Sequence, residues 1–256
     1  MLRFAVPALG VLWAVLSAGA ASADARELRI LTGAGMSMPV RALAADYGKR
    51  TGSTITVTSD TAGGVQKRIE AGERLDLVIG TQAVLDTLTK EGKVAAAHSD
   101  LARMVAGIGA KKGAPAPAVA DSAQFKATLL AAKNITYVDP ASGGITGVFF
   151  LSQADKLGVG QQVRAKAVLR PNGEGVARAV AAGEAQYGVT LVSEMLPNPE
   201  VTVWPLPDDL QMTTIYTAAL ANDAQNAMDA EAMLDDLRGT RGQEASIKAG
   251  LKPVSH

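Results

Sequence analysis

The chain contains no cysteine. Disulfides, thiolate metal sites and cysteine nucleophiles are therefore excluded. Two histidines, His98 and His256, are too few for a histidine-rich metal centre, so neither a metal nor a cofactor is expected. Aromatic residues make up only 4%, which leaves few platforms on which bases or sugars could stack. Net charge is also missing, since 25 Lys and Arg balance 25 Asp and Glu. A chain without a basic excess is not built around nucleic acid or an anionic membrane surface. Motifs of hydrolytic chemistry are lacking too. There is no Ser/His/Asp set, no G-x-S-x-G elbow and no H-E-x-x-H. The sequence thus predicts no catalytic residues and no enzyme, with an exported hydrolase as the competing class.

What the sequence does have is length and apolar content. Its 256 residues, 48% hydrophobic and 20% charged, suffice for one large domain or for two lobes with real cores. The first residues read as an export signal. Arg3 gives a positive start, Phe4 to Leu16 an apolar run, and Ala21-Ser22-Ala23 a small-residue cleavage site, with Ala23-Asp24-Ala25 as a competitor. The signal is assigned to residues 1–25. No cysteine follows for lipidation, and no later run is long enough to span a bilayer. A protein delivered to the periplasm without a lipid anchor is expected.

From Glu27 onward, strand-like apolar runs alternate with helical patterns, which marks an α/β fold with parallel sheets covered by helices. Leu28 to Thr32, Thr54 to Thr58 and Leu75 to Ile79 read as strands of a first lobe. Val40, Leu43, Ala44 and Tyr47 form one helical stripe between the first two. Ala102 to Ala110 is a strand-like run near a crossing between lobes. The βα rhythm then restarts with Ile135 to Asp139, a helix from Val148 to Leu157, and strands at Lys166 to Leu169 and Tyr187 to Val192. Asp223 is read as the cap of a returning helix. Residues 26–104 with 214–256 are assigned to lobe 1, and residues 105–213 to lobe 2.

Four glycine-bearing βα turns stand out: Gly35 to Ser37, Ser59 to Gly64, Ser142 to Gly147, and Asn172 to Gly175. Glycine brings backbone N–H groups close to a ligand, and the following helix adds unpaired donors and the positive end of its dipole. In open α/β sheets the ligand crevice lies outside the carboxyl ends of the strands. Two turns from each lobe would converge on one anion. Thr61, Ser142 and Thr146 serve there either as helix caps or as ligand donors. Arg170, at a strand end, either grips a carboxylate or joins an ion pair.

The stretch Thr58-Ser59-Asp60-Thr61-Ala62-Gly63-Gly64, with Ile69-Glu70-Ala71-Gly72 and Asp76-Leu77-Val78-Ile79, resembles the type II periplasmic solute-binding proteins. Within them it is similar to the molybdate-binding proteins of ABC importers. Asp139-Pro140 and Ala182-Gly183-Glu184-Ala185 before Gly188-Val189 extend the match over nearly the whole mature chain. The resemblance implies a two-lobed fold with the ligand cleft between lobes. It also implies a small oxyanion held by hydroxyls and helix N-termini, and an ABC permease in the inner membrane as partner. The protein itself is taken as a monomer; an exported ligand sensor is the alternative on the same fold. By that resemblance the family's first-turn serine falls at Gly35 or Met36, with Ser37 displaced beside it. The second-turn serine falls at Thr61, in the turn with Ala62 and Gly63. The third-turn N–H falls near Thr146 and Gly147, and the fourth near Gly175 and Val176. The ligand tyrosine falls at Leu191, where no hydroxyl remains. Room at Gly35 and Leu191 would suit a larger, partly apolar anion such as an organic acid.

Overall fold

The computed structural model describes residues 27–254, so the export signal read at residues 1–25 lies outside the described residues. The chain opens with β1 (Glu27–Gly33), which passes through one 3-10 turn, Ala34–Met36, into α1 (Ser37–Thr51). β2 (Thr54–Asp60), α2 (Ala62–Glu70), β3 (Leu77–Thr81), α3 (Gln82–Lys90) and β4 (Ser99–Arg103) follow. The stripe Val40, Leu43, Ala44 and Tyr47 is the buried face of α1. β3 is buried at every position, as a strand covered on both faces must be.

At Met104 and Val105 the chain leaves this sheet for a second one. There it builds β5 (Ala106–Lys111), α4 (Ser122–Ala131), β6 (Ile135–Val138), α5 (Ile145–Lys156), α6 (Gly160–Ala165) and β7 (Ala167–Arg170). α7 (Gly173–Ala182), β8 (Tyr187–Leu191), the four-residue α8 (Val192–Met195) and β9 (Val201–Pro205) complete it. The chain then returns through β10 (Ile215–Leu220), α9 (Ala227–Arg238), α10 (Thr240–Lys248) and β11 (Lys252–Pro253). The sheet orders are β11-β4-β10-β3-β1-β2 and β7-β6-β8-β5-β9. Each sheet holds a parallel triplet, β2-β1-β3 and β7-β6-β8, extended by antiparallel pairings. This is the two-lobed α/β architecture that the alternation of runs predicts.

Several local expectations are corrected. Ala102 to Ala110 is not one strand, because the break at Met104 and Val105 sends its halves into different sheets. α5 begins at Ile145 rather than Val148, which places Thr146 and Gly147 inside the helix. Asp223 does not cap α9, whose N-cap is Asn226. α8 follows directly on β8, in a place read as the end of a strand.

The largest cluster of buried side chains crosses the lobe boundary. It joins Leu28, Ile79 and Tyr216 of the first sheet to Ile108, Tyr137 and Leu191 of the second. Burying apolar surface is worth roughly 25 cal/mol per Å², so this shared core favours a closed arrangement of the lobes.

Candidate functional site

The carboxyl ends of β1, β2 and β3 face those of β6 and β8 across a cleft, and the turns behind them form its walls. A cavity of about 30 Å³ lies at its centre, lined among others by Ala34, Thr61, Ala62, Thr81, Thr146, Leu191, Glu194 and Tyr216. That volume holds little more than water. A groove of about 590 Å³ adjoins it, sharing Ala34, Thr61 and Glu194 and adding Ser37, Arg41, Asn172 and Ser193. Any larger ligand must occupy the groove or part the lobes.

The lobes touch directly. Gly63 N–H donates to the Gly143 carbonyl oxygen at 3.1 Å. The Thr61 hydroxyl donates to the Ser142 carbonyl oxygen at 3.3 Å while accepting the Gly64 N–H at 3.1 Å. Thr61 therefore caps α2 and bridges the lobes with one hydroxyl. The Ser142 hydroxyl closes its own turn by donating to the Asp139 carbonyl oxygen at 2.7 Å.

Of the residues singled out in the sequence, Thr61, Ala62, Thr146 and Leu191 line the central cavity. Ser37 lies on the groove, where its hydroxyl accepts from Arg41 Nε at 3.0 Å. Gly63 and Ser142 form the contact between lobes. Met36 is buried in the core behind the first turn. Gly147 packs against the Val138 carbonyl, away from the cavity lining. The Gly175 N–H is consumed by the Asn172 side chain at 2.8 Å, which caps α7. Arg170 is corrected as a ligand residue: its guanidinium is paired with Glu184 and donates to the Leu169 carbonyl, and it lines neither cavity nor groove.

The room expected at Gly35 and Leu191 is also corrected, because side chains fill it. A Cβ on Gly35 would lie 2.4 Å from the Tyr216 hydroxyl oxygen and 2.6 Å from a Leu191 methyl. A Cβ on Gly33 would likewise lie 2.7 Å from the nearest carbon of the Tyr216 ring. Two glycines of one turn thus admit an aromatic ring from β10. The Tyr216 hydroxyl accepts the Gly35 N–H at 3.1 Å. Burial, then the neighbouring Glu194 carboxylate, push this phenol well above its ordinary range, so it stays protonated at neutral pH.

Glu194 went unnoticed in the sequence. It sits half-buried in the first turn of α8, where its carboxylate accepts from the Thr190 hydroxyl at 2.5 Å and from Leu191 N–H at 3.4 Å. Burial raises its pKa, with the hydrogen bonds from Thr190 and Leu191 opposing. One oxygen lies so near Gly173, at the start of α7, that a Cβ there would come within 2.0 Å. A carboxyl with a raised pKa in an enclosed cleft suits proton transfer. The nearby acids are already engaged: Asp60 accepts the Thr61 N–H at 2.8 Å and lies 3.9 Å from Arg68, and Glu174 pairs with Arg178.

Comparison with known proteins gives four likenesses. The profile of the family described as bacterial extracellular solute-binding protein matches residues 28–252. A protein of Pseudomonas sp. named aconitate isomerase is 31% identical over 261 residues, covering 98% of this chain and 97% of its own. The molybdate-binding protein ModA of Azotobacter vinelandii is 25% identical over 240 residues, covering 90% and 91%. Among solved structures, the periplasmic molybdate-binding protein of Azotobacter vinelandii superposes with a TM-score of 0.75 at 17% identity, covering 89% of this chain and 100% of that one. The expectation that the chain is not an enzyme is overturned by the first of these relatives, which carries an enzyme's name over almost its full length. The lack of hydrolytic motifs does not exclude an isomerase, which needs a proton carrier and no hydrolytic nucleophile.

Proposed function

The chain belongs to the bacterial extracellular solute-binding protein family, and from that premise we propose that its cleft binds an unsaturated tricarboxylate of the aconitate type and moves its double bond. The observation that carries this reading is Glu194, a half-buried carboxyl on the wall of the interlobe cavity whose pKa burial raises. The relative named aconitate isomerase supports the choice of substrate class.

Moving the double bond requires a proton to leave one carbon and return to another. The base takes a proton from the methylene carbon beside a carboxylate. The electron pair left behind delocalises through the adjoining double bond. The proton then returns to the carbon at the far end of the allylic system, and the double bond lies between the other two carbons. Atoms and charge balance with no redox partner. Glu194 is the group assigned to carry the proton, its pKa moved by burial toward neutral pH. Tyr216, protonated and enclosed, donates to the charge that develops on the substrate.

A second reading, a receptor that delivers a molybdate-like oxyanion to an inner-membrane ABC permease, is favoured by the 25% identical molybdate-binding relative. In both readings the protein works in the periplasm as a monomer, exported by a cleavable signal.

A thermal-shift series with cis- and trans-aconitate, tricarballylate (the saturated tricarboxylate) and molybdate separates the two. A saturable ligand raises the midpoint with the logarithm of its excess over the dissociation constant. The tricarboxylates are expected to raise it. A rise with molybdate alone would move the assignment to the oxyanion receptor.

A further inference from the structure

The two carboxylate oxygens of Glu194 have different surroundings. Oε2 accepts the Thr190 hydroxyl at 2.5 Å and the Leu191 N–H at 3.4 Å. The start of α7 packs against the same oxygen, where a Cβ on Gly173 would come within 2.0 Å. Oε1 makes no hydrogen bond among the described residues. Glu194 nevertheless lines both the central cavity and the adjoining groove. One oxygen is fastened, and the other is left for what enters the cleft.

Thr190 does the fastening. It stands next to the end of β8, only 1% exposed, behind the cavity wall and not on it. Its Oγ1 lies 2.5 Å from Glu194 on α8 and 3.4 Å from the hydroxyl of Thr146, in the first turn of α5. A threonine hydroxyl has one proton to give and can accept others. The shorter contact, to the charged acceptor, takes that proton, and Thr146 then donates to Thr190. One buried hydroxyl thus ties β8, α8 and α5 together. We propose that Thr190 is a positioning residue for the proton transfer, holding Glu194 by Oε2 so that Oε1 alone meets the substrate. This rests on the isomerase reading of the cleft.

Such a grip suits a carboxyl that must act twice. Oε1 takes the proton as the methylene C–H bond breaks, and the electron pair passes into the allylic system. The new O–H bond then breaks as the proton moves to the far carbon, which leaves the carboxylate as it began. Thr190 can donate to Oε2 throughout, first as a carboxylate oxygen and then as the carbonyl oxygen of the acid. The bond favours the charged form, so it opposes burial and keeps Glu194 available as a base. The other titratable groups near Glu194 are Tyr216 across the cavity, Glu174 of α7, paired with Arg178, and Asp60 and Arg41 on the groove wall. Tyr187 of β8 and Lys111 of β5 stand at the far end of their sheet.

The test compares wild type, Thr190→Val, which keeps the shape without the hydroxyl, and Thr190→Ser, which keeps the hydroxyl. Carboxyl-carbon NMR of the ligand-free proteins follows the titration of Glu194, whose signal is identified by its loss in Glu194→Gln. Turnover of trans-aconitate gives kcat and KM across pH. In Thr190→Val the Glu194 titration is expected to move up by roughly one pH unit, as loss of a donor to a charged acceptor predicts. Its kcat should fall on the order of tenfold with KM little changed, because Thr190 touches no substrate. Thr190→Ser should recover most of both effects. Should Thr190→Val not fold, Thr190→Ala is the second hydroxyl-free variant. A wild-type titration and kcat in the hydroxyl-free variant overturn the proposal, and so do equal losses in Thr190→Val and Thr190→Ser, which would mark packing alone. A wild type that leaves trans-aconitate intact overturns the isomerase reading, and with it any part for Thr190 in that reaction.

Discussion

The N–H of Gly63 in one lobe donates to the carbonyl of Gly143 in the other at 3.1 Å, with no side chain between them. This backbone bond and the one from the Thr61 hydroxyl to Ser142 hold the mouth of the cleft shut. A Cβ on Gly63 would stand 3.0 Å from the Gly143 Cα and 3.2 Å from its oxygen, closer than ordinary contact. Gly63→Ala is therefore expected to favour the open form. Small-angle scattering without ligand should give it a larger radius of gyration than the wild type, and equal radii would show that the glycine pair does not hold the lobes.

Glu194 makes a prediction about pH. Burial raises its folded-state pKa above the ordinary 4.5, so folding favours its neutral form. Its share of stability is complete below that value and is lost as pH rises through the folded pKa. Glu194→Gln, neutral at every pH, should flatten this decline. Urea midpoints of wild type and variant between pH 4 and pH 8, in the range where carboxyl groups titrate, provide the comparison. Parallel curves would refute the raised pKa.

Gly35 is predicted to tolerate no side chain, because the Tyr216 hydroxyl and Leu191 already occupy the space. Gly35→Ala should cost roughly 1–3 kcal/mol of stability, the usual penalty for overpacking. Denaturant unfolding measures it. A neutral result would mean that Tyr216 can swing aside and is not held by the turn.

Arg170→Ala should leave ligand affinity near that of the wild type, since the Arg170 guanidinium is engaged by Glu184 outside the cleft. Exposed ion pairs of this kind contribute at most about 1 kcal/mol. A tenfold fall in affinity on titration would return Arg170 to the site.

The rhythm of strands and helices was legible because apolar runs alternate with helical stripes and several helix starts carry a capping side chain. Asp121, Thr61 and Asn172 show this, each side chain capping the helix that follows it. Tyr216 was not legible as a site residue. It meets Gly35 from 181 residues further along the chain, on a strand that rejoins the first sheet. No local pattern encodes such a meeting, and a likeness to proteins with a serine at that turn suggested empty room there. Glu194 was hidden for a different reason. It stands in a four-residue helix, too short to show a helical period, and β8 runs straight into it. Donors read from glycine turns were partly misplaced because caps use them first, as Asn172 does at Gly175.

The central claim is that Glu194, on the wall of the cleft, moves a proton on an unsaturated tricarboxylate. Proton NMR of trans-aconitate incubated with the wild type and with Glu194→Gln tests it most directly. The wild type is predicted to generate the cis isomer until the two reach equilibrium, while the variant still binds the acid but leaves it unchanged. Trans-aconitate left intact by the wild type, or turned over equally by both proteins, would contradict the claim.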